Sequence, residues 1–248
     1  MFNILYESVS YKNTKADDKP NEDLIVYDEA EKIGLLIDGV SRDKENGHYP
    51  VPSPAVVASE EFAKKMVSSF RESKLKGLEK LKLSVEKAND NVKKYNEILN
   101  HRFPAGTVGI CFAIEQDSFI YGYIGDCYAA IIRNGTKRTF TECQTQMVAT
   151  HKKEFTSDEI RFHICNNISH PCGYGVWDGN PNAMDFTKYG EIRILPGDAI
   201  IIYSDGLEAD VQKWDVNSLA HVTLRELFGS NTGANQDDRS CLRIRINK

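Results

Sequence analysis

The spacing of apolar positions changes several times along the chain, and each change predicts a different element. Phe2 to Ser8 reads as a strand, followed by a polar, Lys/Asp-rich loop from Lys12 to Lys19. Asp23 to Tyr27 and Lys32 to Ile37 read as two more strands around a turn at Asp28 to Glu31. Ile33, Leu35, Leu36 and Ile37 are nearly continuous, the pattern of a strand buried on both faces, and the run stops at Asp38-Gly39. Beyond a Pro/Gly-containing loop, Pro54 fits a first helical turn, and Phe62, Ala63, Met66, Val67 and Phe70 form one helical stripe. Leu78, Leu81, Val85, Ala88, Val92, Tyr95 and Leu99 form a second, from about Gly77 to His101. The short Ser73 to Lys76 link makes the two an antiparallel hairpin.

From Thr107 the period returns to that of strands. Val108 to Ile114, Ser118 to Ile124, Tyr128 to Arg133 and Lys137 to Thr141 are separated by Gln116-Asp117, Gly125-Asp126 and Asn134-Gly135, which predicts an antiparallel meander. A helix capped by Ser157 is expected to reach Cys165, and an irregular stretch follows from Asn166 to Asn182. Strands at Glu191 to Leu195, Ala199 to Tyr203 and Ser240 to Ile246 enclose helical segments within Glu208 to Phe228. This order is neither βαβ alternation nor all-β. It predicts an α+β fold in which two mostly antiparallel sheets pack together with helices outside.

Composition narrows the reading. The 248 residues are 41% hydrophobic, 10% aromatic and 27% charged, enough apolar surface for one self-sufficient domain spanning 1–248. A formal charge of −5 gives no general attraction to nucleic acid or an anionic membrane, and neither partner is expected. The start, MFNILYESVS, lacks the basic region of a signal peptide, and no apolar run nears the roughly 18 residues of a membrane span, so a soluble cytoplasmic protein is expected. Six scattered cysteines without a C-x-x-C pair read as reduced thiols.

The candidate chemistry is acidic. Asp38-Gly39, Gly125-Asp126, Asp205-Gly206, Asp237-Asp238 and Glu22-Asp23 all stand where a strand ends or begins. Each alone is an ordinary turn signal. Gathered on one sheet edge they would repel unless neutralised, and hard divalent cations with oxygen ligands, Mg²⁺ or Mn²⁺, are the natural neutralisers. Two such ions about 3.5–4 Å apart suit in-line attack on a phosphoryl group.

The ordered set Asn21-Glu22-Asp23, Asp38-Gly39, Ala105-Gly106-Thr107, Gly125-Asp126, Gly197-Asp198 to Ser204-Asp205-Gly206-Leu207, and Asp237-Asp238-x-Ser resembles the metal-dependent serine/threonine phosphatases of the PP2C (PPM) family over nearly the whole chain. The resemblance implies a four-layer αββα sandwich carrying two Mn²⁺ or Mg²⁺ ions. It implies that Asp38 bridges both ions, that the Gly39 carbonyl binds the first, and that Asp205 and Asp237 bind the second. Glu22 and Asp23 would stand at or just outside the inner shell, and Asp126 would serve a third, weaker ion. Asp238, where the family usually has Asn, would support its neighbour. The implied reaction is hydrolysis of phosphoserine and phosphothreonine in proteins by a water bridging the two ions, in a monomer working against a Ser/Thr kinase system.

The chain departs from the family in its cations. Where many members place a phosphate-gripping arginine it has Asp18; Lys19 is adjacent and is the candidate phosphate contact, with Lys12, Lys15 and Arg42 as further candidates. Val40 replaces a histidine used by some members as general acid, and Ser41-Arg42 replaces a small Gly pair. Two alternatives stay open: a weakly active or inactive regulatory module on the same sandwich, and a phosphatase of small phosphorylated molecules. Cys165, His170 and Cys172 with His163 match no common zinc spacing. Asp178 reads as part of a turn, and the eleven Lys/Arg against seven acids over residues 60–102 read as a solvated helix face.

Overall fold

The structure, a computed structural model, describes residues 2–15, 19–40, 48–99, 101–229 and 237–248. Asp18, Ser41 and Arg42, which carry the departures noted above, lie outside these residues. The strands are β1 (Asn3–Tyr11), β2 (Asp23–Asp28), β3 (Ile33–Gly39), β4 (Thr107–Glu115), β5 (Ser118–Ile124), β6 (Tyr128–Arg133), β7 (Thr136–Thr139), β8 (Lys188–Arg193), β9 (Ala199–Tyr203) and β10 (Arg239–Asn247). The helices are α1 (Pro54–Glu72), α2 (Gly77–Ile98), α3 (Gln146–His151), α4 (Ser157–Glu159), α5 (Ala183–Phe186), α6 (Glu208–Lys213), α7 (Val216–His221) and α8 (Leu224–Phe228).

Two five-stranded antiparallel sheets run β1-β10-β9-β6-β7 and β2-β3-β4-β5-β8. Strand alternation sorts the side chains into layers. Leu36, Ile110, Phe112 and Phe119 meet Ile200, Ile202, Leu242 and Ile244 between the sheets. Leu35 and Ile37, one residue to either side of Leu36, turn the other way against Phe62, Met66, Val85 and Val92 of α1 and α2. Ile201, Tyr203 and Cys241 carry the outer face of the other sheet and pack on Leu207, Leu219, Leu224 and Phe228. The result is the expected α/β/β/α stack, with β3 buried on both faces as its apolar run predicts.

Four local differences from expectation have physical causes. Helix α2 ends at Ile98 because Asn96 turns back to bridge Ala105 and Asp178, donating to both carbonyls at 2.8 and 2.7 Å and accepting from Ala105 N at 2.8 Å. Thr156, not Ser157, caps α4: its hydroxyl accepts from Glu159 N, and Glu159 reaches back in a capping box. That helix lasts one turn and widens into a π turn at Ile160–Ile164. Strand β8 sits at Lys188–Arg193 rather than Glu191 to Leu195, because Leu195 is held in a turn by Asp198 Oδ2.

Among the described residues no disulfide is formed, and no helix is long and apolar enough to cross a membrane.

Candidate active site

Strand ends from both sheets meet at one edge of the sandwich. In the β2–β3 ladder Asp23 stands directly opposite Asp38, so the two carboxylates leave the same face. From the other sheet, β9 ends at Tyr203 and delivers Asp205, while Asp237 and Asp238 lead into its neighbour β10. Gly206 lets these two segments touch: a Cβ there would lie 2.0 Å from the Asp238 carbonyl oxygen. The β5–β6 turn presents Asp126 beside Gly125, whose φ of 83° and contact with Val108 suit glycine.

Hydrogen bonds hold several of these segments and side chains in place. Thr107 Oγ1 donates to the Asp38 carbonyl at 2.7 Å, and Gly39 N donates to the Glu22 carbonyl at 3.0 Å. Ser204 Oγ donates to Asp23 Oδ2 at 2.8 Å, and Thr145 Oγ1 donates to Asp126 Oδ2 at 2.8 Å. Glu22 Oε1 accepts from Ser53 Oγ at 2.5 Å, and Glu22 Oε2 pairs with Lys19 at 3.3 Å. Asp238 accepts from Asn13 N and Glu22 N at 2.7 and 2.9 Å and is 2% exposed, whereas the Asp237 side chain is 48% exposed. Asp238 therefore anchors the loop, and Asp237 is the member of the pair that faces outward.

A cavity of about 460 Å³ opens at this edge, with Lys19, Asp38, Gly39, Val40, Asp126 and Asp237 among its lining residues. Asp23 and Asp205 stand behind the lining, and among the described residues the Oδ1 atom of each is buried without a hydrogen-bond partner. Burial, reinforced by the neighbouring carboxylates, raises the acids' affinity for protons. Asp38 is pushed well above the usual carboxylate range by burial and then by Asp23, Asp205, Asp126 and Asp237. Asp205 is pushed up to about 7 by burial, then by Asp126, Asp237 and Asp23. Asp23 also rises to about 7, chiefly through burial, against the lowering effect of hydrogen bonds from Ser240 and Ser204. Asp126 moves up for the same first reason.

Orphaned carboxylate oxygens and an all-oxygen donor set fit hard divalent cations. Among the described residues, no three His, Cys, Asp or Glu side chains form a ready-made metal cage.

Glu22, Asp23, Asp38, Asp126, Asp205, Asp237 and Asp238 lie at this edge, whereas Asp198 stands at the opposite end of β9, paired with Arg133. Lys19 lines the cavity too, with its ammonium turned into the carboxylates. The sequence reading missed the opposite wall, where Lys152, Ser157 and Arg161 join Val148, Ile160 and Tyr174. The basic Lys152-Lys153 pair and Arg161 around a capped turn were the available signal. Asp178 accepts from Asn166 Nδ2 and Asn180 N at 2.9 Å each, in keeping with a turn residue.

No family model matches the chain, and no curated protein matches it. Solved structures do. The Mycobacterium tuberculosis serine/threonine phosphatase PstP/Ppp superimposes with a TM-score of 0.73 at 18% identity, covering 100% of both chains. The fold is that of the PP2C-type phosphatases. The serine/threonine phosphatase of S. agalactiae shares this PP2C fold with a TM-score of 0.70 at 19% identity, over 98% of this chain and 99% of its own. The catalytic domain of PstP, solved in complex with two manganese ions, gives 0.69 at 18% identity over the full length of both.

Proposed function

We propose that the chain is a metal-dependent phosphatase of phosphoserine and phosphothreonine in proteins, with residues 1–248 acting as one catalytic domain. The observation that carries this reading is the convergence of Asp23, Asp38, Asp126, Asp205 and Asp237 from both sheets on one edge, with two buried carboxylate oxygens lacking partners. The manganese pair in a structure of the same fold supports it.

In this reading Asp38, the Gly39 carbonyl, Asp205 and Asp237 hold two Mn²⁺ or Mg²⁺ ions, Glu22 and Asp23 support them, and Asp126 serves a third, weaker one. Bound divalent ions would neutralise the acids, supply an acidified water and offset charge on phosphoryl oxygens. The protein's own groups do the rest. Thr107, Ser204 and Thr145 hold three acidic residues in place so that little reorganisation is needed when charge develops. Lys152 and Arg161 line the same cavity as the acids, and in this reading their charge orients a phosphate. Lys19 lines the same cavity, though its ammonium is already engaged by three acids. Phosphorylated proteins produced by a Ser/Thr kinase system, acted on by a cytoplasmic monomer, are the proposed context.

The test is hydrolysis of p-nitrophenyl phosphate, a small phosphorylated metabolite and a phosphothreonine peptide, each with Mn²⁺, Mg²⁺ or EDTA. Turnover of the peptide that EDTA abolishes and Mn²⁺ restores is expected; preference for the metabolite selects the small-molecule alternative. The second reading, a regulatory module, is favoured by the self-neutralising contact of Lys19 with three acids. Mn²⁺ binding without turnover of any substrate selects it.

A further inference from the structure

Lys19 occupies a place where a cation is wanted. Its side chain is only 9% exposed, and Nζ lies 3.3 Å from Glu22 Oε2, 3.6 Å from Asp237 Oδ1 and 3.6 Å from Asp238 Oδ2. The three acids differ in what else holds them. Glu22 and Asp238 are buried and fixed by Ser53 Oγ, Asn13 N and Glu22 N. Asp237 is half-exposed, faces the cavity with Asp38 and Asp126, and Asp238 N donates to its Oδ1 at 2.9 Å. Two buried acids thus anchor the ammonium, and it extends its charge to the one acid the cavity shares. Pro20 follows directly and restricts the backbone of residue 19.

We propose that Lys19 is a tethered counter-ion that competes with a divalent cation for Asp237, making the cation position served by Asp237 and Asp205 weaker than the one served by the Gly39 carbonyl. This inference deepens the metal-site reading and rests on it. Like charges so close repel in any medium. A cation taking Asp237 either displaces the ammonium from that acid or binds against its field, and both reduce affinity. Linkage makes the effect reciprocal, so the ion loosens the grip of Lys19 on the loop that leads to Glu22 and Asp23. Before metal arrives, the same ammonium offsets part of the repulsion among the acids. Lys19 is thus a positioning residue with opposite effects on the metal-free and metal-loaded states.

The experiment is calorimetric titration of Mn²⁺ into the metal-stripped full chain, without substrate, for the wild type, Lys19→Met and Lys19→Arg, with thermal unfolding of each in EDTA. Lys19→Met should tighten the weaker of the two principal Mn²⁺ sites about tenfold, equivalent to about 1.4 kcal/mol, while lowering the Tm of the metal-free protein. Lys19→Arg, which keeps the charge, should stay near the wild type in both. Lys19→Gln carries the same expectation as the methionine variant and replaces it if that variant fails to fold. A lysine that merely props up the loop would lower Tm and leave Mn²⁺ affinity unchanged or weaker, which overturns the inference alone. Absence of Mn²⁺ binding to the wild type overturns the metal-site reading and the inference together.

Discussion

Replacing Asp205 by Asn tests the electrostatics of the acidic edge without relying on turnover. The Asp205 carboxyl rises from an ordinary 3.8 to about 7, chiefly because it is buried and secondarily because Asp126, Asp237 and Asp23 surround it. At about 1.4 kcal/mol per pKa unit, a rise of about three units costs the metal-free folded state about 4 kcal/mol once the group is ionised. The sign follows from proton linkage. Below pH 4 both folded and unfolded chains carry the proton, and Asp205 costs nothing extra. Between pH 4 and 7 the unfolded chain releases it first, so stability falls as pH rises. Above pH 7 the whole penalty is present. Because the neighbouring acids readjust when one charge leaves, Asp205→Asn should stabilise the metal-free protein by about 2–4 kcal/mol at pH 8. For a chain of this length that is a rise in Tm of about 5–10 °C, shrinking towards zero at pH 4. The same variant should lose the stabilisation that Mn²⁺ gives the wild type, about 2.7 kcal/mol at a hundredfold excess over Kd. Circular dichroism melts in EDTA and in Mn²⁺ at pH 4, 6 and 8 read both effects. A lower Tm for the variant in EDTA at pH 8, or an undiminished Mn²⁺ shift, would refute the reasoning.

Three further outcomes follow from the geometry. Arg161→Ala and Lys152→Ala should each raise KM for a phosphopeptide by about tenfold, as loss of a charged contact predicts, while Mn²⁺ affinity by calorimetry stays unchanged; an unaltered KM removes them from phosphate binding. Gly206→Ala drives a methyl into the Asp238 carbonyl and should cost about 3 kcal/mol in urea unfolding, with loss of Mn²⁺ binding because Asp205 and Asp237 separate. Thr107→Val deletes the hydrogen bond to the Asp38 carbonyl and should cost about 1–2 kcal/mol with reduced kcat; wild-type kcat would show that this bond does not position Asp38.

The sequence carried the layers well, because period-two and period-3.6 patterns report burial directly. Ile33 to Ile37 announced a strand covered on both faces, and the stripes of α1 and α2 announced the helices that cover one of them. The acidic positions were legible as strand ends flanked by glycine. Their meeting was not, since it depends on β10 inserting between β1 and β9 and on the register of β2 against β3, both tertiary facts. Helix α3 went unseen because it is short and buries one residue, Val148. The shift of the α4 cap from Ser157 to Thr156 was readable in the Thr156-x-x-Glu159 spacing, which matches a capping box where Ser157 does not. Strand β8 misled because Ile192 is its buried residue, while the apolar Leu195 beyond it belongs to a turn.

The pairing of Asp23 with Asp38 has its origin at the far end of the same hairpin. The ladder starts at Asp28 opposite Ile33 and counts five steps to Asp23 opposite Asp38, about 17 Å at the rise of a strand. Asp28 accepts from Ala30 N and Glu31 N and is gripped by Arg71 of α1. This turn works as a gauge block that sets a distant alignment by its length. One residue inserted between Glu29 and Lys32, away from the acidic cavity and touching none of its acids, would slip β2 by one position and swing Asp23 to the opposite face of its sheet. The chemistry of the acidic edge is thus indexed by a surface turn that takes no part in it.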